Sequence, residues 1–160
     1  MKTIVLAYAK APQYQPVWKL LNNVIDTAPG TIGELASRSI LAVCDFLGLS
    51  TRIERTSTVY ANAHLHAQDR VLDICPREGA RLYINAAGGQ ELYSQEAFAA
   101  RGIDLRFLRS RLPTYPQFNH PFVPSLSILD VLMFNSRDRV RTLLTEYELE
   151  ENSHCRATMM

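Results

Sequence analysis

Apolar residues recur at helical spacing through the opening part of the chain. Val17, Trp18, Leu20, Leu21, Val24 and Ile25 form one stripe over residues 15–25, and Pro29-Gly30 ends it. Thr31 then reads as the cap of a second helix, with Glu34 three residues later completing a capping box. That helix carries Ile32, Leu35, Ile40, Leu41, Val43, Phe46 and Leu47 and stops at Gly48. Residues 1–10 hold a shorter apolar run that fits a strand or a helix.

Past Gly48 the pattern alternates. Residues 51–57 read as a strand, 62–75 as a helix stopped by Pro76 and Gly79, and 80–86 as a second strand. Gly88-Gly89 turns the chain, Ser94 caps a short helix to Ala100, Gly102 ends it, and residues 103–108 read as a third strand. Strands separated by helices with short connections predict an α/β fold, a small three-stranded parallel βαβαβ sheet with right-handed crossovers. Residues 112–124 hold three prolines (Pro113, Pro116, Pro121) before Pro124 and read as a long ordered loop. Ser125 or Ser127 starts a helix to Phe134, and a last helix is expected over 137–148, with Val140, Leu143, Leu144 and Tyr147 on one stripe. The expected organisation is a single domain of residues 1–160. It has an N-terminal helical pair in 1–50, the βαβαβ core in 51–110, a loop and C-terminal helical pair in 111–150, and a frayed tail at 151–160.

At 160 residues the chain suits one domain, large enough to bury roughly 70% of its unfolded surface. A formal charge of +1 offers no electrostatic pull toward nucleic acid or an anionic membrane. The arginines are nonetheless clustered, at 101, 106, 109 and 111 and again at 137, 139 and 141, as solvated charges or as a site for an anionic small ligand. No stretch approaches the ~20 apolar residues of a membrane span, and the opening run is too short for a secretion signal. Cys44, Cys75 and Cys155 are odd in number and lack metal-ligand spacing, which points to reduced thiols and a cytoplasmic location. Cys75 reads as a packed thiol, with a catalytic cysteine as the bolder alternative.

In an open parallel sheet, ligands bind beyond the carboxyl ends of the strands. Three polar stretches are expected there: residues 57–60, 85–90, and 109–111 running into 115–117. Gly88 and Gly89 permit positive φ and close approach of backbone N–H groups to a ligand, or form a tight turn. Ser57 and Thr58 bind ligand or cap the next helix. Arg70 belongs to an exposed ion pair or acts as an anion clamp. His64 and His66 face different directions and make a poor metal pair. His120, beside Gln117 and Asn119, is a candidate general base or an idle loop histidine. Ser127 and Asp130 lie three residues apart on one helix, facing a pocket or filling a first turn. No metal cluster, P-loop, dinucleotide fingerprint or serine–histidine–acid set is legible.

The segment Tyr115-Pro-Gln-Phe-Asn-His-Pro-Phe-Val-Pro-Ser-Leu-Ser-Ile-Leu-Asp-Val-Leu-Met-Phe-Asn135 resembles the C-terminal signature of WbqC-like proteins. Leu47-Gly48-Leu49, Ser57, Gly79-Ala80-x-x-Tyr83-Ile84, Gly88-Gly89, Tyr93, Phe98 and Gly102-Ile103 are similar as well. The similarity runs from about residue 8 to residue 144. The resemblance implies a further N-terminal strand region, with a Gln-Pro-x-Tyr-like motif and an acidic segment, that would precede Met1. The site would then be completed by a partner chain or second copy, or the chain is a non-catalytic binding or assembly module. It also implies a role in bacterial surface-polysaccharide (O-antigen) biosynthesis, as a transferase of a small amino-acyl group to an amino sugar. The expected partner is a small molecule, a nucleotide sugar or amino sugar, with no cofactor or metal indicated. The expected catalytic residues are Asp130, Gln117 and Tyr115; Ser57, Gly88, Gly89, Arg109 and Ser127 are expected to bind substrate, with Arg109 on a phosphate. On that reading Asp130→Asn abolishes turnover and leaves the thermal midpoint nearly unchanged.

Overall fold

A computed structural model of the chain describes residues 1–27 and 29–152. The elements run α1 (Lys2–Tyr8), α2 (Tyr14–Asp26), α3 (Ile32–Leu47), a 3₁₀ turn (Ser57–Tyr60), α4 (Ala67–Arg77), β1 (Leu82–Ala86) and a second 3₁₀ turn (Ala87–Leu92). They continue with α5 (Gln95–Ala99), β2 (Asp104–Ser110), α6 (Ile128–Phe134), α7 (Arg137–Leu143) and β3 (Tyr147–Glu150). The chain divides into two compact units, Met1–Arg55 with Leu112–Glu146, and Thr56–Arg111 with, among the described residues, 147–152.

The first unit is helical. Its core is Ala11, Val17, Leu47, Leu132, Met133 and Val140, with Leu20, Val43 and Phe46 packed against it. Of the stripes predicted on α2 and α3 only these positions face the core, while Ile25, Ile32, Leu35 and Ile40 stay exposed. α1 resolves the ambiguity of residues 1–10 as a helix whose Ile4 and Tyr8 pack on this core. Thr31 caps α3 by accepting from the Glu34 N–H at 3.1 Å, while the Glu34 carboxylate reaches back to the Gly30 N–H at 3.0 Å, one residue earlier than a capping box requires.

α3 ends at Gly48, in the left-handed conformation at φ +66°. A Cβ there would stand 2.6 Å from Nη2 of Arg141, whose Nε donates to the Leu47 carbonyl. Gly48→Ala is therefore expected to cost ~1–2 kcal/mol for the left-handed backbone alone, plus displacement of Arg141. Urea denaturation followed by fluorescence of the single tryptophan, Trp18 on α2, measures the loss.

The second unit holds the sheet, in the order β1-β2-β3. β1 and β2 are parallel, Leu82 opposite Asp104 through Ala86 opposite Leu108. β3 is antiparallel to β2, with Ser110 opposite Tyr147 and Phe107 opposite Glu150. The sheet is thus mixed, and two expectations fail. Residues 51–57 form no strand: of their side chains only Ile53 is even partly buried, too little apolar surface to fix a register. Residues 147–150 leave the expected last helix, which stops at Leu143, and pair with β2. Leu72, Cys75, Phe98, Ile103, Leu105 and Phe107 form the core, with Tyr83 and Tyr93 against it. Phe98 stacks on Tyr83 at 5.4 Å and meets Tyr93 edge-on at 5.9 Å.

Of the tail expected to fray, 151–160, only residues 151–152 are described. Asn152 is buried and its amide donates to the Gln90 and Tyr93 carbonyls, both at 3.0 Å. Residues 153–160, with Cys155, lie outside the described residues. No helix among the described residues is long and apolar enough to cross a membrane.

Candidate functional site

Asp130 is the third residue of α6, capped by Ser127, whose hydroxyl accepts from the Leu129 N–H at 3.0 Å. Its carboxylate is only 4% exposed, and it lies where the helix dipole favours negative charge. Three side chains donate to it. Tyr115 Oη and Gln117 Nε2 reach Oδ1, both at 2.7 Å, and Tyr8 Oη reaches Oδ2 at 2.9 Å. Among the described residues Asp130 forms no ion pair. The buried carboxyl group is thus held by neutral donors alone.

The loop that delivers Tyr115 and Gln117 is wound tightly. Leu112, Phe118 and Ser125 take left-handed backbone conformations at φ +46°, +50° and +59°, each costing a non-glycine residue ~1–2 kcal/mol. Gln117 offsets that cost. Its Oε1 accepts from the Val123 N–H at 2.7 Å, and its Nε2 donates to the Val123 carbonyl at 3.2 Å as well as to Asp130. Both amide hydrogens are then spent, so Gln117 holds the site together and has none left for a sugar hydroxyl. Tyr115 packs edge-on against Phe122, Phe118 against Phe134, and Tyr8 against Phe134.

Burial, followed by the hydrogen bond to Asp130 and its charge, pushes the Tyr8 and Tyr115 phenols up from 10.0 to about 12. Below the ordinary phenol pKa both groups are protonated in folded and unfolded chains, so the contribution of this pair to stability is fully present. Between about 10 and 12 the unfolded chain ionises first, and that contribution is lost as pH rises. Tyr83 in the second unit is also raised, by burial first and then by Tyr93. An ultraviolet titration of the seven tyrosines is expected to show a late-ionising group that Tyr8→Phe and Tyr115→Phe each diminish.

An open hollow of about 680 Å³ is lined by Val5, Leu6 and Lys10 from the α1 region and by Phe118, Asn119 and His120, sequence neighbours of Tyr8 and Gln117; none of the four cluster residues lines it. It brings two titratable side chains, Lys10 and His120, to one opening and gives the loop histidine a setting.

Of the residues expected to be catalytic, the structure brings Tyr115, Gln117 and Asp130 together, and adds Tyr8. Tyr8 shares a helical face with Ile4, a signal available only once residues 1–10 are read as a helix. Ser127 is exposed and occupied as a cap. The burial and bonding of Asp130 put Asp130→Asn in a different light: replacing one of its two acceptor oxygens by an NH2 group, among three donors, is expected to lower the thermal midpoint. The other expected residues belong to the second unit. Gly88 and Gly89 lie in the 3₁₀ turn, neither with positive φ, and a Cβ on Gly89 would come 3.1 Å from the Asn85 amide nitrogen. Close packing on Asn85 is a sufficient reason for that glycine. Arg109 is held bidentately by Glu150 at 2.6 and 3.0 Å, which occupies the fork expected to meet a phosphate. Cys75 is buried, and burial pushes its thiol up, away from nucleophilic reactivity. Among the described residues no three His, Cys, Asp or Glu side chains converge as a metal set would.

No curated protein and no solved structure matches the chain. A model of the WbqC-like protein family matches residues 1–142, a span that includes the whole Tyr8–Tyr115–Gln117–Asp130 cluster. The chain belongs to the WbqC-like protein family.

Proposed function

We propose that the chain acts in bacterial surface-polysaccharide (O-antigen) biosynthesis, as a transferase of a small amino-acyl group to an amino sugar. The observation that carries this reading is the Asp130 carboxylate, buried without a cationic partner and approached by two phenols. Such a group favours an amine: the Tyr115 and Tyr8 oxygens donate to Asp130 and keep lone pairs that accept from a substrate N–H. In the reaction the sugar amine attacks the acyl carbon of an activated ester, forming an amide as the ester oxygen leaves with the proton the amine gives up. Asp130 is the anchor that takes the amine proton and passes it to the leaving ester oxygen, Tyr115 and Tyr8 orient the amine, and Gln117 holds the three in register. His120 and Lys10 face the same hollow and suit the anionic part of a nucleotide-linked sugar.

A second reading, a non-catalytic binding module, draws on two observations. Asp130 already accepts three donors, and Leu6 in the hollow is an apolar side chain 87% exposed among the described residues. The two readings part in a transfer assay with nucleotide-linked amino sugars and activated glycine esters. Amide product that Tyr115→Phe lowers at least tenfold supports the transferase. Absence of product together with tight, saturable amino-sugar binding supports the module.

A further inference from the structure

Arg70 in the second unit is anchored in an unusual way. Its Nε donates to the Asn62 Oδ1 at 3.1 Å and its Nη2 to the Ser57 Oγ at 2.9 Å. Asn62 is 1% exposed, and its own amide is fixed by donating to Asp73 at 2.7 Å. A buried neutral side chain therefore sets the plane of the guanidinium. Among the described residues Arg70 forms no ion pair, and Asp73, which holds Asn62, is paired with Arg77 at 2.9 Å. This contrasts with Arg106, Arg109 and Arg111, each of which is matched to carboxylates.

Of the five N–H donors of a guanidinium, Arg70 spends two on Asn62 and Ser57. Both hydrogens on Nη1 and one on Nη2 are left without a partner among the described residues. Ser57 accepts from Arg70, so its own hydroxyl hydrogen is free to donate outward, and Ser57 is exposed. Arg70 is also the fourth residue of α4, close to the positive end of the helix dipole. A cation gains nothing for the helix at that position, whereas an anion there meets both charges.

We propose that Arg70 and Ser57, oriented by Asn62, form a receptor for an oxyanion, a phosphate or a carboxylate. The Nη1 and Nη2 hydrogens take two oxygens in a fork and the Ser57 hydroxyl donates to one of them. The proposal stands apart from the transferase reading, which draws on residues of the first unit.

The test is a titration of the isotope-labelled full chain with inorganic phosphate, pyrophosphate and acetate, followed by amide resonances. Saturable movement at Ser57, Thr58 and the Arg70 side chain is expected with at least one probe. The phosphate and acetate arms tell a phosphate-bearing ligand from a carboxylate. Arg70→Gln is expected to weaken binding at least tenfold, and Arg70→Lys and Ser57→Ala several-fold each. Absence of saturable movement with all three anions overturns the proposal, as does undiminished binding in Arg70→Gln. Should Arg70→Gln fail to fold, undiminished binding in Ser57→Ala, at an exposed position, overturns it as well.

Discussion

Asp130→Ala is expected to destabilise the helical unit by ~3–5 kcal/mol, one of the two largest losses of any single substitution considered for this chain. The substitution removes the one acceptor shared by Tyr8, Tyr115 and Gln117. A donor left unpaired in a buried setting costs ~1–3 kcal/mol. Two of the three belong to half-buried tyrosines, which turn partly to water, so the sum falls below three full penalties. Gln117 is buried and has no such escape, and the Val123 pairing it supports loosens with it. Trp18 stacks on Tyr14 at 5.7 Å within the same unit, so its fluorescence during urea unfolding reports the loss. Asp130→Asn keeps one acceptor oxygen and is expected to lose ~1–3 kcal/mol. Equal stability of Asp130→Ala and the parent would mean that the cluster is not formed in solution. A double-mutant cycle with Tyr115→Phe is expected to show coupling, because the two side chains touch.

Phe98→Ala is expected to cost ~3–5 kcal/mol in the sheet-bearing unit. Phe98 is fully buried at 0% exposure, between Tyr83 and Tyr93 and among Leu72, Leu105 and Phe107. Alanine removes the aromatic contacts and leaves a cavity that these rings, pinned on β1 and on the segment before α5, fill only in part. Hydrogen exchange of the β1 and β2 amides is the suitable measurement. Protection across the Leu82–Asp104 to Ala86–Leu108 register should fall together. Loss limited to α5 would show that Phe98 anchors only its own short helix.

The helical unit was the more legible in the sequence because its signals are local. Apolar stripes on residues 15–25 and 32–47, the Thr31 cap and the Gly48 stop each act within a few positions, and each reappears in α2 and α3. The sheet was less legible because pairing is decided by distant partners. Tyr147-Glu-Leu-Glu150 continues a helical stripe and is rich in helix-forming glutamate, yet it becomes β3. The counter-signal was a period of two: Arg109 and Arg111 on β2 and just past it, facing Glu148 and Glu150. The structure pairs Arg109 with Glu150 and Arg111 with Glu148. The same pairing redirects Arg109 from the phosphate expected of it. Residues 51–57 failed as a strand for the converse reason, an alternating pattern with one apolar side chain to bury.

The candidate site divides along the same line. Tyr115, Gln117 and Asp130 lie in one stretch, where a proline-rich loop enters a capped helix, and it was the resemblance of that stretch to WbqC-like proteins that singled them out. Tyr8 was not visible, because it is 122 residues from Asp130 and meets it only in the fold. Gln117 was visible as a residue but not in its role, since its pairing with the Val123 backbone depends on the left-handed turn at Phe118.

The most direct test of the site is an amide-resonance titration of the full chain with nucleotide-linked amino sugars and the matching sugars that lack the amine. Binding through Asp130 predicts saturable movement at residues 115–120 with the amino sugars, weaker movement without the amine, and loss of the difference in Tyr115→Phe. Equal response to both sugar classes, or none to either, would contradict a carboxylate held in readiness for an amine.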